Sequence, residues 1–197
     1  MNQHARTFPE AITVEEFLAL SGSQRCELVD GAITSMAPAT PIHGQLQAQL
    51  GAIIHAHLRA QRSACWVVAE PGVQPRAQAR FNVRIPDLGI SCSPIRTDDK
   101  FLRDPVLLVE ILSPSNGKDT SSNVIAYTTI PTVRDILIIS STSRAIEHLY
   151  RNPDGSWPEN PVSIDETDTF TLSSIGLALT MAEVYAGTSL DAGEHQK

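Results

Sequence analysis

The spacing of apolar residues changes several times along this 197-residue chain, and each change predicts an element. Ile42, Leu46, Leu50, Ile53, Ile54 and Leu58 recur at helical intervals, which predicts one long amphipathic helix over 42–61 that packs across a sheet. Before it, Thr13-Val14-Glu15-Glu16 forms a capping box, whose hydroxyl and carboxylate satisfy open backbone N–H groups, so a short helix is expected over 13–20. Strand-like runs at 26–29 and 32–36 flank Asp30-Gly31, a pair that tolerates the positive φ of a tight turn, and this reads as a β-hairpin.

Further strands are expected at 65–70, 83–92 and 106–112. The last, Val106 to Leu112, is apolar almost throughout and therefore reads as a central strand covered on both faces. A helix over 119–129 stops before Ile130-Pro131 and leads to a strand over 133–140. Two buried strands joined by a helix imply a βαβ crossover and a parallel or mixed pair. An outer strand over 144–151, a mostly irregular 152–168 and a short closing helix over 181–186 complete an α/β fold, a mixed β-sheet core flanked by helices. The expectation is one domain over 1–187, with 188–197 as a disordered tail.

Against that pattern Glu110 is out of place. A carboxylate inside a covered strand must be ion-paired, protonated or bound to a metal to offset its lost hydration. Arg84 and Arg134 are the candidate partners for a buried pair. Asp87 follows Pro86, which cannot donate a ladder hydrogen bond and so marks an edge, a bulge or a strand end that can aim Asp87 into a cleft. Two such acids suit Mg²⁺ (or Mn²⁺), a hard cation that takes few protein carboxylates and fills its remaining positions with water and phosphate oxygens.

Charge sharpens this only in part. The net charge of -7 argues against a nucleic-acid coating protein, but residues 59–118 carry nine Lys/Arg against six acids while residues 119–197 carry a net -7, so the middle of the chain leaves room for a polyanion. No apolar run reaches the roughly 18 residues of a membrane span. Cys26, Cys65 and Cys92 are widely separated and odd in number, which suggests neither a disulfide framework nor a zinc site and fits a reducing cytoplasm.

Five short stretches, in this order, carry a family resemblance: Cys26-Glu27-Leu28-Val29-Asp30-Gly31, His43-Gly44, Ile85-Pro86-Asp87-Leu88, Val109 to Ser115, and Tyr127-Thr128-Thr129-Ile130-Pro131. From about Thr13 to Ala186 the chain resembles the Uma2 family of restriction-endonuclease-like proteins, also called DUF820, in the wider PD-(D/E)XK group. The resemblance implies a restriction-endonuclease-like mixed sheet and an acidic metal site on Glu27, Asp87 and Glu110. Glu27 enters on the resemblance alone, since a solvent-facing Glu in a hairpin would be unremarkable. The same resemblance adds His43 as a residue that touches the site or is hydrogen-bonded locally at its helix start.

One departure stands out. In the family pattern an Asp is followed four residues later by Lys and after four more by Tyr; Asp119 and Tyr127 match, but the middle position is Asn123. Asn123 can donate a hydrogen bond but brings no charge, so it can position a water without stabilising an anion as well. Lys118, at the entry to the same helix, is the candidate substitute. The expected function is Mg-dependent hydrolysis of DNA phosphodiester bonds, with DNA as partner and a homodimer as assembly. The alternative is a catalytically impaired relative serving as a nucleic-acid-binding or protein-interaction module; other phosphate esters are a further substrate class.

Overall fold

The computed structural model describes residues 11–20, 26–113 and 117–191, apart from the side chains of 117–120. Its centre is a six-stranded mixed sheet, ordered β3-β4-β5-β6-β7-β8, with β3 at Trp66–Ala69, β4 at Leu88–Ser91, β5 at Pro105–Leu112, β6 at Asp135–Ser140, β7 at Ile146–Tyr150 and β8 at Val162–Ser163. β5 and β6 run parallel, with Glu110 opposite Ile138, and all other neighbours in this sheet run antiparallel. The parallel pair is joined by helix α3, Gly117–Thr128, as the crossover required.

Strand alternation divides β5 between two cores. Leu107, Val109 and Ile111 face one side, where α2 (Pro41–Ala60) lays Leu46, Leu50, Ile54 and Leu58 against them. Leu108 faces the other side, with Tyr127 and Ile130 from the end of α3 and Ile136 and Ile138 from β6. Glu110 shares that second side by the period of two. Thr40 caps α2 through its hydroxyl, which accepts from the His43 N–H.

The first helix, α1 at Val14–Leu20, has the expected capping box: the Glu16 carboxylate accepts from the Thr13 N–H at 2.8 Å and its hydroxyl at 2.7 Å. The hairpin of β1 (Cys26–Val29) and β2 (Ala32–Ser35) turns through Asp30 at φ 50° and Gly31 at φ 83°. A side chain at Gly31 would also collide with Ala11, so glycine answers both the turn and the close approach. β1 is joined to the body through mutual Leu28–Val83 bonds, and Arg84 pairs in turn with Val73.

Four expectations change. The run expected over 83–92 is interrupted at Pro86-Asp87, and only Leu88–Ser91 joins the main sheet. A hairpin of β9 (Thr169–Leu172) and β10 (Leu177–Thr180), which the pattern reading lacks, precedes α4 at Met181–Tyr185 and closes the α2-side core with Phe170, Leu172 and Leu179. The body reaches past 187, since Thr188 is fully buried and Leu190 packs on the core; residues 192–197 lie outside the described ones. Finally, Cys65 and Cys92 are joined in a disulfide. The register explains it: Trp66 opposes Ser91, so the next pair outward is Cys65 and Cys92, neighbours that 27 residues of sequence separation conceal. The expectation of unpaired cysteines is thereby corrected, and the argument from thiols to a reducing compartment loses its basis. Cys26 keeps its thiol, buried beside the Ser35 hydroxyl. Among the described residues no helix is long and apolar enough to cross a membrane.

Candidate functional site

Three elements bring Glu27, Asp87 and Glu110 together on the α3 side of the sheet, all buried. β5 supplies Glu110 near its C-terminal end. The break after Pro86 supplies Asp87, whose backbone carbonyl is held by the Gln47 side chain and the Glu70 N–H. β1 supplies Glu27, whose Oε1 accepts from the Ile85 N–H at 2.7 Å. The hairpin is thus fastened to the segment that carries Asp87 by one of the acids themselves.

Helix α3 closes the group with two residues one turn apart, a spacing that puts both on one face. Tyr127, with no exposure, donates to Glu110 Oε1 at 2.6 Å. Asn123 Nδ2 lies 3.2 Å from Glu27 Oε1 and 3.5 Å from Glu110 Oε1, bridging two carboxylates. Asp87 is gripped from both sides: Oδ2 accepts from the Ile111 N–H at 2.6 Å, and Oδ1 stands 2.7 Å from His43 Nε2. His43 belongs to the first turn of α2 and is itself buried, with Nδ1 left without a hydrogen-bond partner.

Electrostatics make Glu110 the focus. Burial pushes its carboxyl well above the usual carboxylate range, and repulsion from Asp87 pushes further; the Tyr127 hydrogen bond opposes this, repulsion from Glu27 adds to it, and the Asn123 bond opposes it weakly. Burial, followed by the same acids, also raises Tyr127, which keeps the phenol a donor. The alternative of a buried Glu–Arg pair is not realised: among the described residues neither Arg84 nor Arg134 forms an ion pair with Glu110. Arg84, the one buried cation among them, donates to the Leu28 carbonyl at 2.7 Å instead, and its Nε has no partner.

A divalent cation can be tested against this donor set. Three packed carboxylates present hard oxygen ligands and carry negative charge that only a proton or a cation can offset. Among the described residues no three of His, Cys, Asp and Glu stand where they could jointly hold one ion. Two carboxylates completed by water are enough for Mg²⁺, and Asp87 and Glu110 meet that requirement in kind. Lys118 falls in the first turn of α3, not in a loop before it, and its side chain lies outside the described ones.

Tyr127 and the Ile85 and Ile111 N–H groups carry contacts that sequence reasoning did not assign. The four-residue step from Asn123 to Tyr127 was the available signal for the phenol; the two backbone donors have none.

The architecture is a nuclease-like fold. A crystal structure of a "putative nuclease belonging to DUF820" from Anabaena variabilis superposes with a TM-score of 0.73 over 88% of this chain and 97% of that chain; at 17% identity the likeness concerns the fold. The chain belongs to the Uma2 family, described as "putative restriction endonuclease", whose model matches residues 14–182. A relative from Synechocystis sp., an uncharacterised protein, is 29% identical over 184 residues, covering 91% of this chain and 94% of its own.

Proposed function

We propose that the chain is a metal-dependent endonuclease that hydrolyses DNA phosphodiester bonds, with Mg²⁺ or Mn²⁺ held by Asp87 and Glu110 and with Glu27 beside them. The observation that supports this best is the burial of Asp87, Glu27 and Glu110 as one group, where lost hydration first and repulsion from Asp87 next push the Glu110 carboxyl well above the usual carboxylate range. Bound there, a divalent ion would supply the Lewis acidity that polarises a phosphoryl oxygen and makes water acidic. The chain's own residues supply position. His43 and the Ile111 N–H fix both Asp87 oxygens, Tyr127 and Asn123 fix Glu110 through Oε1, and the Ile85 N–H fixes Glu27. Asn123 offers an amide to orient water where the family pattern has lysine, and Lys118 is the cation nearest in sequence that could serve the phosphate.

The same Asn123 favours a second reading, a relative that keeps the acid site but does not cleave and serves as a nucleic-acid-binding or protein-interaction module. The plasmid assay separates them. On the first reading, supercoiled DNA is nicked with Mg²⁺ or Mn²⁺ and not with chelator, and Asp87→Asn abolishes nicking; absence of nicking with every divalent ion would leave the second. Nucleases that cut both strands of a duplex often use two centres, which a twofold homodimer would supply. Sedimentation at micromolar concentration tests the dimer.

A further inference from the structure

Two arginines from the basic middle of the chain, Arg76 and Arg103, have no part in the acid centre and line one cleft. A cleft of about 280 Å³ opens at the far end of β5, between the loop 74–79, the segment 101–105 and the turn Ile130–Thr132 that leaves α3. Its polar lining includes the arginines Arg76 and Arg103 and the side chain of Gln74. Arg76 is exposed and Arg103 half-buried, and no described carboxylate pairs with either guanidinium. Asp104 also lines the cleft, but its carboxylate accepts from the Ser93 hydroxyl at 2.9 Å. The loop is pinned, since Thr129 Oγ1 accepts from the Arg76 N–H at 2.9 Å and the Ala77 N–H at 3.2 Å. Two guanidiniums without an ion-pair partner among the described residues, on a fixed loop and a strand entrance, outnumber the one Asp104 carboxylate of the lining and present planar donors suited to phosphate oxygens.

The cleft lies on the same side of the sheet as the acids. Leu102 and Ile130 line it and belong to the core that Tyr127 and Leu108 share, on the face from which Glu110 projects. From Pro105 to Glu110 the strand advances five residues, about 16 Å. Along a duplex, where one strand rises about 3.4 Å per nucleotide, that equals about five nucleotides.

We propose that the Arg76–Arg103 cleft is a backbone-phosphate contact for nucleic acid, which grips the strand about five nucleotides from the acid centre. The proposal takes its nucleic-acid ligand from the function proposed above and needs neither metal nor cleavage. A contact of this kind fixes register without reading sequence. It also lets an acidic protein hold a polyanion locally, through a small basic site on one flank.

Fluorescence anisotropy of the full chain with a labelled duplex of about 20 base pairs, in chelator, tests it. Replacing Arg76 and Arg103 together by Gln is expected to weaken binding about tenfold at 0.1 M salt and to reduce the slope of log affinity against log salt by about two. Arg59→Gln with Arg62→Gln, on exposed positions at the end of α2 across the sheet, is expected to change neither. Unchanged melting of the Arg76/Arg103 variant establishes that it folds. Equal affinity of wild type and that variant, or equal losses in both double variants, would overturn the proposal. So would inorganic phosphate at matched ionic strength displacing the duplex at millimolar concentration, which would make this a site for the free ion. Failure of the wild type to bind any duplex would also overturn it, while Mn²⁺ titration independently reports whether the acid centre survives as a metal site.

Discussion

Among the described residues are two buried Asp–His pairs of nearly equal geometry and opposite surroundings. His43 Nε2 lies 2.7 Å from Asp87 Oδ1, and His148 Nε2 lies 2.8 Å from Asp135 Oδ1. Around Asp135 the other neighbours also donate: the Ser174 N–H at 2.7 Å and the Ser173 hydroxyl at 3.4 Å. Burial opposes its ionisation, yet the bonds from His148 and Ser174 outweigh that and hold the carboxyl below its usual range. Around Asp87 the neighbours include Glu110 and Glu27, and the cost appears on Glu110, pushed upward. One pair is a clamp that ties β6, β7 and the β9–β10 turn. The other holds an acid in place among acids, an arrangement for which the metal site proposed above would account.

The comparison can be broken most strongly at the clamp. Asp135→Asn removes the charge that His148 and the Ser174 N–H are arranged around and is expected to cost roughly 3–5 kcal/mol in urea unfolding, whereas Asp87→Asn relieves repulsion and should stay within about 1 kcal/mol of wild type. Similar losses in both would make the two pairs equivalent.

Next in size is Glu110→Gln. A carboxyl whose pKa is raised by folding binds more protons folded than unfolded, so metal-free stability falls as pH rises above the ordinary Glu range. At neutral pH the substitution is therefore expected to stabilise the metal-free protein by roughly 1–3 kcal/mol and to flatten that decline, which thermal melts from pH 5 to 8 measure.

Asp135 gives the opposite slope and a smaller effect. Its lowered pKa contributes stability that is fully present above the ordinary Asp range and is lost as pH falls through the folded value, so acid titration below about pH 4 should destabilise wild type and leave Asp135→Asn without this component. The smallest effect on stability, under about 1 kcal/mol, is expected for Asn123→Lys, where the attraction of a cation to buried Glu27 and Glu110 is offset by the hydration it loses. Its effect on catalysis should be larger: metal-dependent nicking is expected to rise at least tenfold, within the usual worth of one oriented charge at a reacting centre.

Much of this organisation was legible from periodicity because its causes are local. The i, i+4 stripe of α2, the Thr13–Glu16 box and the Asp30-Gly31 turn each state their geometry within a few residues. Glu110 announced itself for a related reason, as a charge in a run whose neighbours demand burial. Long-range register was hidden. The Cys65–Cys92 bond and the contact of the Glu27 carboxylate with the Ile85 N–H depend on which segments meet, which local spacing does not encode. The β9–β10 strands alternate through Phe170, Leu172, Leu177 and Leu179, but at four residues each they are too short for the pattern to stand out from loop. His43 was suggested only by resemblance, since nothing near it in sequence shows that its ring would meet Asp87.

Calorimetric titration of Mn²⁺ into the wild type and Glu110→Gln tests the central claim most directly. If the packed acids form a metal centre, the wild type binds the ion and the variant, though at least as stable, binds it tenfold or more weakly. Equal affinity in the two proteins, or no binding by the wild type, would contradict the account.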